Sequence, residues 1–321
     1  MRDGASAIRA RGLSKRYGDV LALDGLDLDV PRGSVFGFLG PNGAGKTTTL
    51  RILTSLATAT DGSAEILGVP VGDGAPNRQG MIGYLDQDPR FHGWMRGREL
   101  LELVGRLYGL QGAALRGRID EVLEVVGLAE AGRRTIGGYS GGMRQRLGLA
   151  QTILNRPPVL LLDEPVSALD PEGRRDVLDV IRALGDGETT VLFSTHILND
   201  VERVCDRVAI LDRGRLVTEA AMDELLDRYA GPVYEVEPDG LDDAGLARLA
   251  ATLGDVGGVT GVERGHGVLR VSVDDGPRAS GRLLAALAAA DLAVVRFERQ
   301  RPTLEDVFLR LVGRNAGGAA S

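Results

Sequence analysis

The stretch SVFGFLGPNGAGKTTTLRIL, Ser34 to Leu53, decides the fold. A short apolar run of strand type leads into a glycine-rich turn, and the turn opens a segment with helical apolar spacing. In that context GPNGAGKT, Gly40 to Thr47, reads as a phosphate-binding loop (P-loop). Gly40, Gly43 and Gly45 let backbone N–H groups face a β-phosphate, Lys46 reaches the β and γ oxygens, Thr47 offers a hydroxyl to Mg²⁺, and Thr48 adds one near the α-phosphate. Of 38 basic residues only Lys15 and Lys46 are lysines. The chain thus keeps a slim point charge where a phosphate would need one.

Moving outward, LLLDEP, Leu160 to Pro165, is a buried-type apolar run that ends in two acids. Asp163 at the strand tip is expected to help Thr47 hold Mg²⁺, directly or through water. Glu164 is left to polarise an attacking water. His196 follows a further strand-type run in FSTH and is placed where it could touch a γ-phosphate. A second anion-binding pattern, YSGGMRQRL from Tyr139 to Leu147, sets a serine and two glycines at the start of a helix but carries no lysine.

Bulk properties bound the rest. The chain has 321 residues, 43% hydrophobic and 26% charged, which suits a globular protein of about two domains. The net charge of −7, with no block of Lys or Arg, gives no reason to expect nucleic acid. A single cysteine, Cys205, cannot form an intrachain disulfide and fits a reducing compartment. The first residues lack the apolar core of a secretory signal. No apolar stretch approaches the ~20 residues needed to span a bilayer, so a role at a membrane calls for another chain.

Strand-type and helical segments alternate from Ile8 to about Ala220, predicting a mostly parallel, covered sheet. Residues 88–150 are mostly helical in pattern and form an expected helical subdomain. From 231 to 313 the order is strand, helix, strand, strand, helix, strand and a last helix, which suggests a small ferredoxin-like α+β domain. That last helix is expected to have Thr303 as N-cap, Glu305 and Asp306 in its first turn, and an apolar stripe of Leu304, Val307, Phe308 and Leu311. Residues 314–321 look disordered.

Gly40–Thr47, Gln87 in YLDQDP, SGGMRQ, LLLDEP, SALD at Ser167–Asp170 and His196 together resemble the ATP-binding cassette (ABC) ATPases, in order and spacing. The resemblance covers about Ile8 to Ala220. It implies an α/β fold, a P-loop NTPase cassette of mixed β-sheet with a helical subdomain spanning 1–225, and ATP and Mg²⁺ as ligands. It also implies that Tyr17 stacks on adenine and that Pro41, Asn42 and Ala44 join the other loop residues at the nucleotide. Gln87 would sense the γ-phosphate, sit with Thr47 and Asp163 at the metal, and link the site to a partner. Two cassettes of this family meet head to tail, so Ser140, Gly141, Gly142 and Gln145 would serve a nucleotide held by the other chain. A homodimer, or a paired cassette, would then sandwich two ATP.

The one-cassette layout implies a separate transmembrane permease and a place at the cytoplasmic face of the membrane. RPTLEDVFLRLVG, Arg301 to Gly313, is similar to the end of ABC-2-type exporter ATPases of the daunorubicin-resistance group. The rival is an ABC ATPase acting on ribosomes or DNA, but such members fuse two cassettes or insert a long coiled coil, and this chain has neither. A non-hydrolysing regulator would need a damaged Glu164 or His196. Trp94, the only tryptophan, stands either at a permease contact or in a packing gap.

Overall fold

The computed structural model describes residues 6–72, 80–185, 187–230, 233–265, 267–274, 279–290 and 292–317. The chain forms two compact units, Met1–Met222 with Leu311–Ser321, and Asp223–Arg310.

The first unit opens with β1 (Ser6–Tyr17), β2 (Val20–Pro31), β3 (Val35–Leu39), α1 (Lys46–Leu53), β4 (Asp61–Ile66) and β5 (Val69–Pro70). Four of these strands make a separate antiparallel sheet in the order β2-β1-β4-β5. The expectation of one alternating series from Ile8 is corrected here. In β2, Leu26, Leu28 and Val30 are buried while Asp27 is exposed and Asp29 half-buried, the two-residue period of a strand with one buried face.

The remaining strands are β6 (Ile82–Leu85), β7 (Val159–Asp163), β8 (Thr190–Thr195), β9 (Arg207–Asp212) and β10 (Arg215–Ala221). With β3 they form a six-stranded sheet in the order β10-β9-β3-β8-β7-β6. All neighbours are parallel except β10, which returns against β9. Every residue of β3, β7 and β8 is buried, in keeping with the apolar runs Val35–Leu39, Val159–Leu162 and Val191–Phe193 of strands covered on both faces. The turn between β9 and β10 is Arg213–Gly214, both at positive φ, the two-residue geometry that matches strand twist.

Helices α2 (Gly97–Leu107), α3 (Gly112–Val125) and α4 (Gly141–Ile153) occupy the segment expected to be helical, with short 3₁₀ turns at Ala131–Arg133 and Ile136–Gly138. Helices α5 (Pro171–Gly185) and α6 (Leu198–Val204) flank β8 in the chain, and α7 (Met222–Tyr229) follows β10. Among the described residues no helix is long and apolar enough to cross a membrane.

The second unit runs β11 (Val233–Pro238), α8 (Asp243–Gly254), β12 (Val259–Arg264), β13 (Leu269–Val273), α9 (Ala279–Ala289), β14 (Val294–Arg299) and the start of α10 (Leu304–Gly317), whose residues from Leu311 are grouped with the first unit. Its sheet is antiparallel with the order β12-β13-β11-β14, the ferredoxin-like arrangement. Val236, Leu249, Leu269, Val271 and Leu283 centre its core. Arg301 holds Asp223 and Asp227 of α7 at 3.3 and 3.2 Å, so α7 belongs with this unit. Thr303 caps α10 as expected, its Oγ1 accepting from Asp306 N at 3.2 Å while Asp306 Oδ2 accepts from Thr303 N at 3.0 Å. The helix extends to Gly317, four residues into the stretch read as disordered, because a capped helix propagates at little cost per residue. Residues 318–321 lie outside the described residues.

Gly37 in β3 marks close packing on the main sheet: a Cβ there would stand 2.5 Å from Val201 Cγ1 and 3.1 Å from Cys205 Sγ. Gly37→Ala is expected to destabilise the fold by about 1–3 kcal/mol through overpacking, read as a lower urea midpoint at unchanged slope.

Candidate functional site

The carboxyl ends of β3, β6, β7 and β8 converge on one edge of the parallel sheet, where α/β folds bind ligands. From β3 the chain turns through residues 40–45 into α1. Gly43 and Gly45 sit at φ +81 and +105, and a Cβ on Gly45 would come within 2.6 Å of Leu23 Cδ2 and 2.7 Å of Ala22 O. The β9–β10 turn clamps this loop: Gly214 N donates to Ala44 O, and Gly214 O accepts from Asp24 N, both at 3.0 Å. No acidic residue stands in the first turn of α1, so the positive end of its dipole and its unpaired N–H groups are left for an anion.

Lys46 is 7% exposed. Its Nζ donates to Gly40 O at 2.6 Å and Pro41 O at 3.3 Å and lies 3.9 Å from Glu164 Oε1. Burial pulls the ammonium below its usual range, with Glu164 and Asp163 opposing the shift.

Asp163 is fully buried at the end of β7. Its Oδ1 accepts from Ser194 Oγ at 2.5 Å and Thr47 Oγ1 at 3.2 Å, while Oδ2 finds no partner among the described residues. A buried carboxylate oxygen without a donor, beside a threonine hydroxyl, suits a hard cation with oxygen ligands. The donor set therefore fits Mg²⁺. Ser194 was given no role from sequence, although a hydroxyl inside the buried run TVLFST was a usable signal; β7–β8 pairing sets it directly opposite Asp163.

Glu164 adopts φ +47, uncommon for a non-glycine residue and typical of positions where strain serves a site. Two bonds at 3.1 Å from Glu164 N, to Ser194 O and Ser194 Oγ, hold that turn, as does Ser167 Oγ donating to Glu164 O at 3.1 Å. Both Glu164 carboxylate oxygens lie 3.0 Å from His196 Nδ1. An ionised carboxylate only accepts, so Nδ1 carries the proton. Half of the His196 side chain remains exposed.

Tyr17, Val20, Leu21, Asn42, Gly43, Ala44, Gly45, Lys46, Thr47, Thr48, Gln87 and Glu164 all border one cleft of about 480 Å³. Gln87, on the loop after β6, is exposed in this wall. Ser140, Gly141 and Gly142 are not part of it. Ser140 caps α4, its Oγ accepting from Met143 N at 3.2 Å, and Ser140 and Gly141 are exposed. Gln145, read as a nucleotide contact with them, is instead 2% exposed beneath that edge, because it falls one helical turn in, on the packed side of α4. Trp94 is 75% exposed and stacked on His92 at 5.8 Å, so it fills no gap.

Residues 23–167 match the ABC transporter family, and residues 221–312 match the DrrA1-3-like C-terminal domain of ATP-binding proteins. The chain is 42% identical over 308 residues, 96% of each chain, to the daunorubicin resistance ATP-binding protein DrrA3 of Streptomyces coeruleorubidus. It is 36% identical over 310 residues, 96% of this chain and 91% of the other, to the Nod factor export ATP-binding protein I of Cupriavidus pinatubonensis. Among solved structures, an ATP-binding subunit of an ABC transporter aligns with TM-score 0.64 at 27% identity, over 77% of this chain and 98% of that one. A dimeric ATP-binding cassette in a post-hydrolysis state with ADP and Pi aligns with TM-score 0.61 at 25% identity, over 67% and 98%. With the phosphate loop, the acid pair and both matched domains in one chain, the protein belongs to the ATP-binding proteins of ABC transporters and is an ATPase of that family.

Proposed function

We propose that the chain is the ATP-hydrolysing subunit of an exporter, working at the cytoplasmic face of a membrane through a separate permease. The observation that carries this reading is the union of the Lys46–Asp163–Glu164 cleft with a C-terminal domain of the DrrA1-3 type, in a chain alignable almost end to end with proteins named for drug resistance and Nod factor export. Exposed Trp94, near Gln87 in sequence, supports a partner surface on this side of the helical segment.

In the proposed reaction the loop N–H groups and the N-terminus of α1 hold the β-phosphate. Lys46 exchanges its contacts with Gly40 O and Pro41 O for phosphate oxygens, which are better acceptors because they are charged. Thr47 and Asp163, with Gln87, would hold Mg²⁺, which when bound offsets charge on the β- and γ-phosphoryl oxygens. Glu164 orients the attacking water and takes its proton, and His196 keeps the Glu164 carboxylate aimed while its exposed edge faces the γ-phosphate. Ser140 and the two glycines after it close over the γ-phosphate of a second copy, or of a paired cassette. The residues 231–313 are proposed to support the dimer or its docking to the permease. Copurification with a polytopic membrane protein favours this reading; a ribosomal or DNA partner in its place favours the rival one.

Lys46→Ala is expected to lower Mg²⁺-dependent ATP turnover at least about a hundredfold by removing phosphate charge compensation. Turnover at the parent rate would sink the loop assignment. Ser140→Arg should block hydrolysis while leaving ATP affinity of the monomer near the parent value, since the serine lies outside its own chain's cleft; a collapse of monomer affinity in titration calorimetry would contradict the composite site. Glu164→Gln keeps the shape but removes the basicity, slowing hydrolysis by about 10²–10⁴. With MgATP this variant should elute from a sizing column at twice the monomer mass, and with ADP at the monomer mass; a variant monomeric under both conditions would refute the trapped dimer.

A further inference from the structure

Of the two lysines in the chain, Lys46 lines the nucleotide cleft, and Lys15 stands next to the cleft residue Tyr17. Lys15 lies on β1 two residues before Tyr17, so the two side chains share one face of the strand. Its Nζ is 4.9 Å from the centre of the Tyr17 ring, within cation–π range. The same ammonium donates to Thr58 O at 2.5 Å. Two residues on, Thr60 is paired with β1: Thr60 N donates to Ser14 O at 2.8 Å and Thr60 Oγ1 accepts from Arg16 N at 3.0 Å. The ammonium therefore has two contacts, a backbone carbonyl on a segment paired with β1 and the face of a ring. Tyr17 borders the cleft and is 46% exposed, whereas Lys15 is not part of the cleft wall among the described residues.

We infer that Lys15 is a positioning residue for nucleotide binding: it clamps the face of Tyr17 turned away from the cleft and so holds the opposite face ready for a purine base. The inference rests on the reading of Tyr17 as the base platform. Two physical effects work together. A half-exposed tyrosine would otherwise lose rotamer freedom when a base stacks on it, and a ring fixed beforehand avoids that cost. A cation behind the ring also withdraws π-density, which favours stacking by an electron-rich purine on the free face. Neither effect reaches the phosphates, so Lys15 contributes to base affinity and leaves the chemical step alone.

The test is a double-mutant cycle on the full-length chain, with ATP and inorganic triphosphate as the two titrants in calorimetry. Lys15→Met is expected to raise Kd for ATP about two- to fivefold, the range of a partly exposed cation–π contact, and to leave Kd for triphosphate unchanged. Lys15→Arg, which keeps a cation over the ring, should stay within about twofold of the parent. In steady state Lys15→Met should raise KM for ATP with kcat unaltered. In a Tyr17→Leu background the Lys15→Met change should have no further effect on ATP affinity. An equal loss for ATP and triphosphate, or the same loss with and without Tyr17, would overturn the clamp and leave the base platform standing. If Tyr17→Leu itself bound ATP as tightly as the parent, the platform reading would fail, and the clamp with it.

Discussion

Two adjacent carboxylates, Asp163 and Glu164, are buried to 0% and 5% exposure at the tip of one strand, and the rest of the site is arranged to make that tolerable. An uncompensated buried charge costs several kcal/mol. Here Ser194 and Thr47 donate to Asp163, His196 donates to Glu164, and Lys46 lies 3.9 Å from it. Ser194 and His196 come from β8 and the residue that follows it, Lys46 and Thr47 from the start of α1. Compensation thus requires β3, β7 and β8 to be neighbours with aligned carboxyl ends, which only parallel strands can provide. The sheet order is what brings these groups together. What remains unsatisfied, Asp163 Oδ2 and the makeshift carbonyl partners of Lys46, is what a metal and a triphosphate would complete.

The loop that follows Glu164 gives the site a second connection. Ser167 Oγ donates to Glu164 O, and the next residues, Ala168 and Leu169, run beneath the start of α4. A Cβ on Gly142 would stand 3.0 Å from Leu169 Cδ2, so the second glycine of the signature allows a close approach to this loop. The exposed end of α4 and the buried Glu164 are therefore parts of one packed segment. In the proposed dimer, a phosphate of the second chain seated on Ser140 would bear on the loop that fixes this chain's own carboxylate.

Much of this was legible in the residues because the chemistry is local. A phosphate loop needs glycines, a lysine and a hydroxyl at fixed spacing, and a strand buried on both faces reads as an unbroken apolar run; Gly40–Thr47 and Leu160–Asp163 satisfy both. The ferredoxin-like unit was legible because its strands and helices alternate over short connections. The antiparallel sheet was harder, since its central pairing joins Ile8 to Ile66 across α1, and the sequence carries no local mark of which strands are partners. Gln145 misled for a related reason. Its neighbourhood to SGGM in sequence suggests proximity to the same ligand, but one helical turn rotates it from the exposed edge to the packed side.

Glu164 shows where sequence reading stops for a physical reason. Its left-handed backbone is a single-residue conformation that propensity disfavours, held only by Ser194 and Ser167 from outside the strand. Had the chain continued as a regular strand, alternation would have pointed Glu164 to the face opposite Asp163, away from Thr47 and Lys46. The turn at φ +47 breaks that alternation and lets two consecutive acids serve one cleft, with Asp163 taking the hydroxyls and Glu164 the imidazole. Contacts from buried Ser194 and exposed Ser167 thereby turn an ordinary Asp-Glu pair at a strand end into one carboxylate suited to a metal and another suited to a water.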